Sequence, residues 1–412
     1  MAAGDREAVP GDNRRFVKRS APNAPRFELG WFHRYPARFA PSALDLMFAG
    51  LENRLTAPPK SLLDPFMGTG AALAAAVQLG INAVGFDRFA LGVLIARLRL
   101  EPPADLEDAV SAVNMLADMK VPRSGHSDPE LVQWVGADNA RLLTAYRDAI
   151  ADVRDIRLKR FLQVSISSAL RASSRWLAGS IKAQIDPDRS PSDIRLQIKR
   201  TARSLRKDCQ IEQHRTNAVA TARMGDARKL DAVATGSIDA LLTSPPYWTT
   251  YDYLSTQRLT YIAFQWPAPS RHQIGRRYGI SPDGRGFAAP SSLASWYVDF
   301  GEERTSMGRA LREYVQRIRE HLLEAYRVLK PDGVAAYAIA NSVRREKTFD
   351  LVGAFSELAE EAGFVEPEVV ARTISTRRIL PAGRDVLTGR FSSDFQPAIS
   401  EQALYLRRPK ES

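Results

Sequence analysis

Ser61-Leu62-Leu63-Asp64-Pro65-Phe66-Met67-Gly68-Thr69-Gly70 reads as a short apolar strand that ends in an acid and runs at once into a glycine-bearing turn. Gly68 and Gly70 let that turn approach a ligand closely, because neither carries a Cβ. Ala71 to Leu79, rich in alanine, follows as a helix. Ile81-Asn82-Ala83-Val84-Gly85-Phe86-Asp87 is a second strand, again ending in an acid. Strand, glycine turn, helix and strand make a βαβ unit, which predicts an α/β fold with a doubly wound sheet. Ligands of such sheets bind outside the carboxyl ends of the strands, where Asp64, Asp87 and Asp226 are expected.

Upstream, Trp31-Phe32-His33-Arg34-Tyr35-Pro36-Ala37-Arg38-Phe39-Ala40-Pro41 leads into a predicted helix with Ser42 as N-cap and Leu44, Leu46, Met47 and Leu51 on its apolar face. Downstream, the alternation of strand and helix breaks. Residues 90–216 are mostly helical in pattern, and their last part is strongly basic: Lys199-Arg200, Arg203, Arg206-Lys207 and Arg215. It resumes with Ala218 to Ala222, Gly225-Asp226-Ala227 and a strand at Ile238–Leu242. Residues 249–305 read as irregular. A helix from Met307 to Leu329 carries Leu311, Tyr314, Ile318, His321, Leu322, Ala325 and Val328 on one face. Lys330-Pro331-Asp332-Gly333 is a predicted turn and Val334 to Ala340 a strand. A helix at Phe349–Ala362 stops at Gly363, and strands at Val365–Ile374 and Ala403–Leu406 close the chain.

The strand at Ile238–Leu242 runs into Thr243-Ser244-Pro245-Pro246-Tyr247-Trp248. Prolines cannot continue a ladder, and they stiffen the backbone while leaving its carbonyls without a local donor. A hydroxyl, a rigid turn with free carbonyls and a flat ring at a strand's carboxyl end suit a planar, amino-bearing group such as a nucleobase. The Asp64–Gly70 turn lacks the Lys-Ser/Thr pair of a phosphate-binding loop, which argues against ATP hydrolysis, and it is not the G-x-G-x-x-G of dinucleotide binders. A carboxylate facing a helix N-terminus repels phosphate and attracts a cationic ligand. Asp87 lies 17 residues after Gly70, near the usual offset for a carboxylate that accepts from ribose hydroxyls.

Composition narrows the class. The chain has 412 residues, 44% hydrophobic and 25% charged, as in globular, soluble proteins. It has no run of roughly 18 apolar residues and no secretory signal, so a cytoplasmic protein without membrane contact is expected. Lys and Arg number 58 against 47 Asp and Glu, a net +11 that favours a polyanionic partner. The lone Cys209 excludes a disulfide framework and a Cys-based zinc cluster. His33, His126, His214, His272 and His321 lack metal-ligand spacing, so no metal is expected.

Taken together, Asp64–Gly70 and Thr243–Trp248 resemble the motifs of the S-adenosylmethionine-dependent amino-group DNA methyltransferases, which methylate cytosine N4 or adenine N6. The resemblance extends to His33–Pro41, Gly225-Asp226-Ala227-Arg228 and Leu329–Gly333, and covers roughly 31–90 and 217–408. It implies a Rossmann-like methyltransferase sheet with a largely helical insertion. The chain then divides into a disordered basic lead-in (1–30), a first part of the catalytic domain with the cofactor motifs (31–99), a helical basic insertion (100–216) and a second catalytic part (217–412). S-Adenosylmethionine is the implied cofactor. Asp64, Phe66, Gly68 and Gly70 would surround its methionine and sugar parts, Asp87 would hold the ribose, Asp226 would sit near the adenine amino group, and Arg38 and Phe39 would close the methionine end.

In the implied catalytic site, Ser244 and the Pro245 carbonyl accept from the target amine, Pro246 stiffens the turn, Tyr247 stacks on a base flipped from the duplex, and Trp248 forms another wall. Carbon-5 chemistry needs a thiolate, and Cys209, in a basic helical stretch without a neighbouring proline, does not suit it. Serine at the first motif position resembles the cytosine-N4 subgroup, with adenine N6 the alternative. Double-stranded DNA is the expected partner, a cognate restriction endonuclease a further candidate, and the protein a monomer or dimer. Arg258, Arg276 and Arg277 in 250–305 are expected to contact DNA, and the insertion to supply much of target recognition. Two readings of other classes compete: an RNA guanine-N2 methyltransferase, and a catalytically inactive nucleic-acid-binding module.

Overall fold

The computed structural model describes residues 15–18, 26–35, 39–124, 127–180, 183–212, 216–248, 253–267, 274, 289–299, 305–344, 347–373 and 400–411. Its strands are β1 (Arg15–Lys18), β2 (Ser61–Asp64), β3 (Asn82–Asp87), β4 (Ala220–Met224), β5 (Ile238–Thr243), β6 (Leu329–Ile339), β7 (Ser342–Arg344), β8 (Lys347–Phe349), β9 (Val365–Thr373) and β10 (Ser400–Arg407). Its helices are α1 (Pro41–Glu52), α2 (Ala71–Gln78), α3 (Ala90–Leu100), α4 (Leu106–Ala117), α5 (Pro129–Val135), α6 (Ala137–Ala151), α7 (Ile156–Leu170), α8 (Ile194–Ile211), α9 (Tyr253–Phe264), α10 (Ala294–Asp299), α11 (Ser306–Val328) and α12 (Leu351–Glu361).

One sheet has the order β1-β9-β10-β6-β5-β2-β3-β4. β10 runs antiparallel to β6 and β9, and the remaining neighbours are parallel. The chain moves outward from β2 through β3 to β4, then returns to the other side of β2 as β5 and β6. The switch point of this α/β sheet therefore lies between β2 and β5, where the Asp64 turn and the Ser244 turn both emerge.

Central strands are buried on both faces, which is why they read as continuous apolar runs. Leu62, Ala240 and Leu242 pack with α1 and α2, while Leu63 and Leu241 pack with α11 and α12. Helices α4–α8 build a separate core around Tyr146, Phe161 and Trp176. The predicted helical character of 90–216 is thus realised as helices covering a core of their own. Leu259, Ala263 and Phe264 of α9 complete that core, so 253–264 is a helix docked on the insertion and not irregular chain.

Three further expectations are corrected. α1 begins at Pro41 with Ala40 as cap residue and no side-chain cap bond, so Ser42 is inside the helix; proline's fixed φ suits a first helical turn. Arg15–Lys18, expected as disordered, forms β1 on the outer edge of β9, where unpaired backbone groups offer a ladder. The turn at Lys330–Gly333 lies inside β6: Leu329 pairs with Ile238 and Val334 with Ala240, and the residues between bulge outward with Asp332 at φ 65°.

Candidate cofactor and base site

Asp64 and Thr243 are the last residues of two adjacent strands, and the Thr243 hydroxyl donates to Asp64 Oδ1 at 2.6 Å. This bond joins the two motifs across 179 sequence positions, and Ser244 is the next residue of the chain. The Phe66 amide donates to the same oxygen at 3.2 Å. Asp64 Oδ2 is buried and has no partner among the described residues. Burial raises the Asp64 pKa to about 7, against the pull of the Thr243 and Phe66 bonds and with a smaller push from the Asp87 charge. A sealed carboxylate oxygen with no donor is costly unless a ligand supplies one.

The turn that follows is held open by its glycines and by Asp87. Gly68 has φ 51° and Gly70 φ 76°, conformations that a side chain would strain. A Cβ at Gly70 would meet the Ala96 Cβ at 2.9 Å, whereas one at Gly68 would meet, among the described residues, only the Tyr35 ring, at 3.7 Å. Space therefore remains above Gly68, with the buried Tyr35 as one wall. Asp87 Oδ2 accepts from the Gly68 amide at 2.9 Å and Oδ1 from the Phe89 amide at 2.8 Å. Burial lifts Asp87 to about 6 although those amides and Arg88 pull it down. Of the carboxylate's roughly four lone-pair sites, the Gly68, Phe89 and Arg88 backbone amides leave about one for a further donor.

Phe66 packs edge-on against His321, with ring centroids 4.8 Å apart. His321 is fully buried on α11, 3.0 Å from the Ala227 carbonyl through Nδ1 and 3.0 Å from the Tyr337 hydroxyl through Nε2. A carbonyl only accepts, so Nδ1 carries the proton and Nε2 accepts from Tyr337. Burial drives the His321 pKa down to about 4, so the ring is a neutral support for Phe66.

Beyond Thr243, the Ser244 hydroxyl donates to the Ala338 carbonyl at 3.2 Å, and the Tyr247 hydroxyl to the same oxygen at 3.3 Å. Both side chains are half-buried, Pro245 is buried, and Pro246 is half-buried. With its proton turned toward Ala338, Ser244 offers lone pairs to any incoming donor. Trp248 differs from its expected role as a pocket wall. It is 1% exposed and stacks on Phe349 at 4.9 Å within the core beneath the turn. A large ring that follows two prolines has the reach to leave the turn and enter the core.

Asp226, expected near the adenine amino group, sits in a cluster of arginine contacts. Its oxygens accept from Arg88 Nη1 at 3.0 Å, Arg228 Nε at 3.0 Å, Arg228 Nη2 at 2.7 Å and the Arg228 amide at 3.1 Å. A carboxylate has about four lone-pair sites. All four contacts come from Arg88 and Arg228, and the Asp226 side chain stays partly exposed. Burial pushes its carboxyl up, and the Arg228 and Arg88 contacts outweigh burial and hold it below the usual range. Arg258, expected to contact DNA, pairs with Glu130 of α5 across α9 and the insertion, and its side chain stays exposed. Phe39 is half-buried against the core that holds Met67 and Ala71. Arg38, Arg276 and Arg277 lie outside the described residues. Cys209 is buried on α8, and burial pushes its thiol well up, the opposite of an activated thiolate.

A set of contacts that the motifs did not reveal ties the insertion to the cofactor turn. Glu212, at the end of α8, accepts from the Gly30 amide at 2.7 Å, and Asp208 accepts from the Trp31 and Phe32 amides at 2.8 and 3.0 Å. Arg99 pairs with Glu212, donates to the Gly30 carbonyl at 3.2 Å and donates to the Thr69 carbonyl at 2.9 Å. Its guanidinium also lies 4.5 Å from the centre of the Phe32 ring. The only sequence signal for this set is the placement of Gly30 directly before the Trp31–Pro41 stretch and of Phe32 within it.

Among the described residues no helix is long and apolar enough to cross a membrane, and no group of three or more His, Cys, Asp or Glu side chains is placed to hold a metal ion. No protein-family model matches the chain, and a search of curated proteins finds no match. Solved structures do. The rRNA methyltransferase aviRa from Streptomyces viridochromogenes is 13% identical over 91% of this chain and 86% of its own, with a TM-score of 0.32. A SAM-dependent methyltransferase from Methanosarcina mazei is 8% identical over 87% and 97%, with a TM-score of 0.33. TTHA0409 from Thermus thermophilus, provisionally described as a DNA modification methylase and complexed with S-adenosyl-L-methionine, is 17% identical over 46% of this chain and 55% of its own, with a TM-score of 0.24.

Proposed function

We propose that this chain is an S-adenosylmethionine-dependent methyltransferase acting on the exocyclic amine of a base in double-stranded DNA, cytosine N4 before adenine N6. The observation that carries the reading is the Thr243–Asp64 hydrogen bond, which fixes the Ser244 turn beside a buried carboxylate at the sheet's switch point. The residues fit the cofactor on two counts: among the described residues Asp64 Oδ2 lacks a donor, and a Cβ at Gly68 would meet none of them but Tyr35 within 4 Å. Asp64, Phe66, Gly68 and Gly70 would hold the methionine and sugar, and Asp87 the ribose. When bound, S-adenosylmethionine supplies an electrophilic methyl on a sulfonium.

The protein's part is to aim the amine. Its lone pair is delocalised into the ring, so the amine is a weak nucleophile until acceptors draw its N–H groups out of plane. Ser244 Oγ and the Pro245 carbonyl are those acceptors, and Tyr247, tethered through its hydroxyl to Ala338, holds a flat face for the flipped base. Methylation would form the N–C bond as the sulfonium–methyl bond breaks and the neutral thioether leaves, and the amine would then give up one proton to solvent. The serine supports cytosine.

The test is direct. Incubate the protein and labelled cofactor with mixed-sequence DNA and RNA, then digest and identify the labelled nucleoside. N4-Methylcytosine in DNA is the expected product. N6-Methyladenine would move the base assignment, label only in RNA would replace the substrate, and no label with intact cofactor binding would favour a non-catalytic module.

A further inference from the structure

We infer that the outer face of α8 is a phosphate-contact surface for duplex DNA, built from Arg200, Arg203 and Lys207. The inference rests on the DNA reading above and adds where the backbone lies.

α8 has two faces. Ile194, Ile198, Ala202, Leu205 and Cys209 point into the insertion's core, packed against α4 and α7. On the opposite side, Arg200, Arg203 and Lys207 recur at three- and four-residue spacing and are exposed. The other cations of the helix are neutralised: Arg195 by Asp193, Lys199 by Asp118 and Arg206 by Glu107. Arg200, Arg203 and Lys207 have no acidic partner among the described residues. A cation flanked by carboxylates is worth little to a polyanion, whereas three unneutralised ones in a row are a ready counter-charge. Seven residues of helix span about 10 Å, so the three charges step along one edge at roughly 5 Å intervals. That is a line of charge rather than a point, and it matches an extended phosphate backbone better than a single bound anion. The net charge of +11 draws the same partner.

Position favours this face over scattered surface lysines. The C-terminal end of α8 is fixed to the cofactor turn through Glu212, Arg99 and the Thr69 carbonyl. Lys207 lies five residues before Glu212, about 7 Å along the helix axis. The stripe thus starts near the cofactor end of the site and runs away from it, as the backbone flanking a flipped base would.

The experiment measures binding of the full chain to a mixed-sequence 30-base-pair duplex by fluorescence anisotropy across about 50–300 mM salt. Three proteins are compared: the unaltered chain, Arg200→Gln/Arg203→Gln/Lys207→Gln, and a control with equal charge loss, Lys60→Gln/Lys120→Gln/Arg223→Gln. Each phosphate contact contributes about 0.9 to the slope of log affinity against log salt. The α8 variant is expected to lose between about 2 and 3 from that slope, with an unchanged circular-dichroism melt, and the control less than about 1. An unaltered slope in the α8 variant, equal losses in both variants, or tighter binding of single-stranded RNA than of duplex would overturn the proposal. Methyl transfer to the same duplex separates the two readings. Transfer by the unaltered chain with no slope change in the variant sinks only the α8 surface; no transfer to DNA sinks the substrate assignment itself.

Discussion

The guanidinium of Arg99 and the carboxylate of Glu212 meet with both side chains sealed from solvent, 113 positions apart in the chain. One belongs to α3 of the sheet domain and the other to the end of the insertion. Removing either partner would strand the other charge in a low-dielectric site. Glu212→Ala is therefore expected to cost about 3–5 kcal/mol, and an apolar pair such as Arg99→Met with Glu212→Leu to recover most of it. Urea unfolding measures both. A single-variant loss below about 1 kcal/mol would mean that solvent reaches the pair.

Asp64 sets a pH dependence with opposite signs for folding and for binding. Its folded pKa, about 7, lies above the ordinary value of 3.8. Between those values the unfolded chain holds fewer protons at this residue, so its contribution to stability falls as pH rises from about 4 to about 7. Asp64→Asn should accordingly gain thermal stability relative to the unaltered chain at pH 8 and lose that advantage near pH 4. A cationic cofactor prefers the ionised carboxylate, so its affinity should rise through pH 7 and level off above. In Asp64→Asn the affinity should be weaker and should lose the rise through pH 7, keeping only the contribution of Asp87 near pH 6. Calorimetry at pH 5.5 to 8.5 checks the second half, and a flat profile in the unaltered chain would refute it.

Ser244→Ala removes an acceptor without opening the core, because the side chain is only half-buried. Turnover is expected to fall on the order of 10²-fold, the scale of a misaligned reacting group, while the dissociation constant for S-adenosylmethionine stays within about twofold. Single-turnover kinetics and calorimetry separate the two quantities. Equal losses in both would remove the serine from the base pocket.

Trp248 should behave as a core residue. Its ring is buried and stacked on Phe349, so Trp248→Ala is expected to cost about 3–5 kcal/mol. Trp248→Phe should keep most of the stability, and DNA affinity should follow the folded fraction in both variants. A stable Trp248→Ala protein with weakened DNA binding would restore the ring to the pocket wall.

Much of this was legible from residue order alone. β2, β3 and β5 are short apolar runs bounded by acids, glycines and prolines, and burial on both faces leaves such runs unbroken. α9 was hidden because Gln257 and Thr260, both polar, are buried, while its apolar Leu259, Ala263 and Phe264 face a separate core. The Arg99–Glu212 pair and the commitment of Asp226 to Arg88 and Arg228 depend on long-range placement, which no local period encodes. Trp248 shows the limit of motif reading most sharply. Its place in the chain was right, but which side of the turn its ring takes is set by Phe349, a hundred residues away.

The Ala338 carbonyl, which takes both the Ser244 and the Tyr247 protons, has a consequence for substrate choice. It leaves the Ser244 lone pairs turned away from that bond before any base arrives. Under the proposed reading, an amino group would meet an acceptor there and a keto oxygen would meet repulsion. Thymine and uracil carry oxygen where cytosine carries nitrogen, so a single backbone oxygen would exclude them by electrostatics, with no side chain assigned to the task.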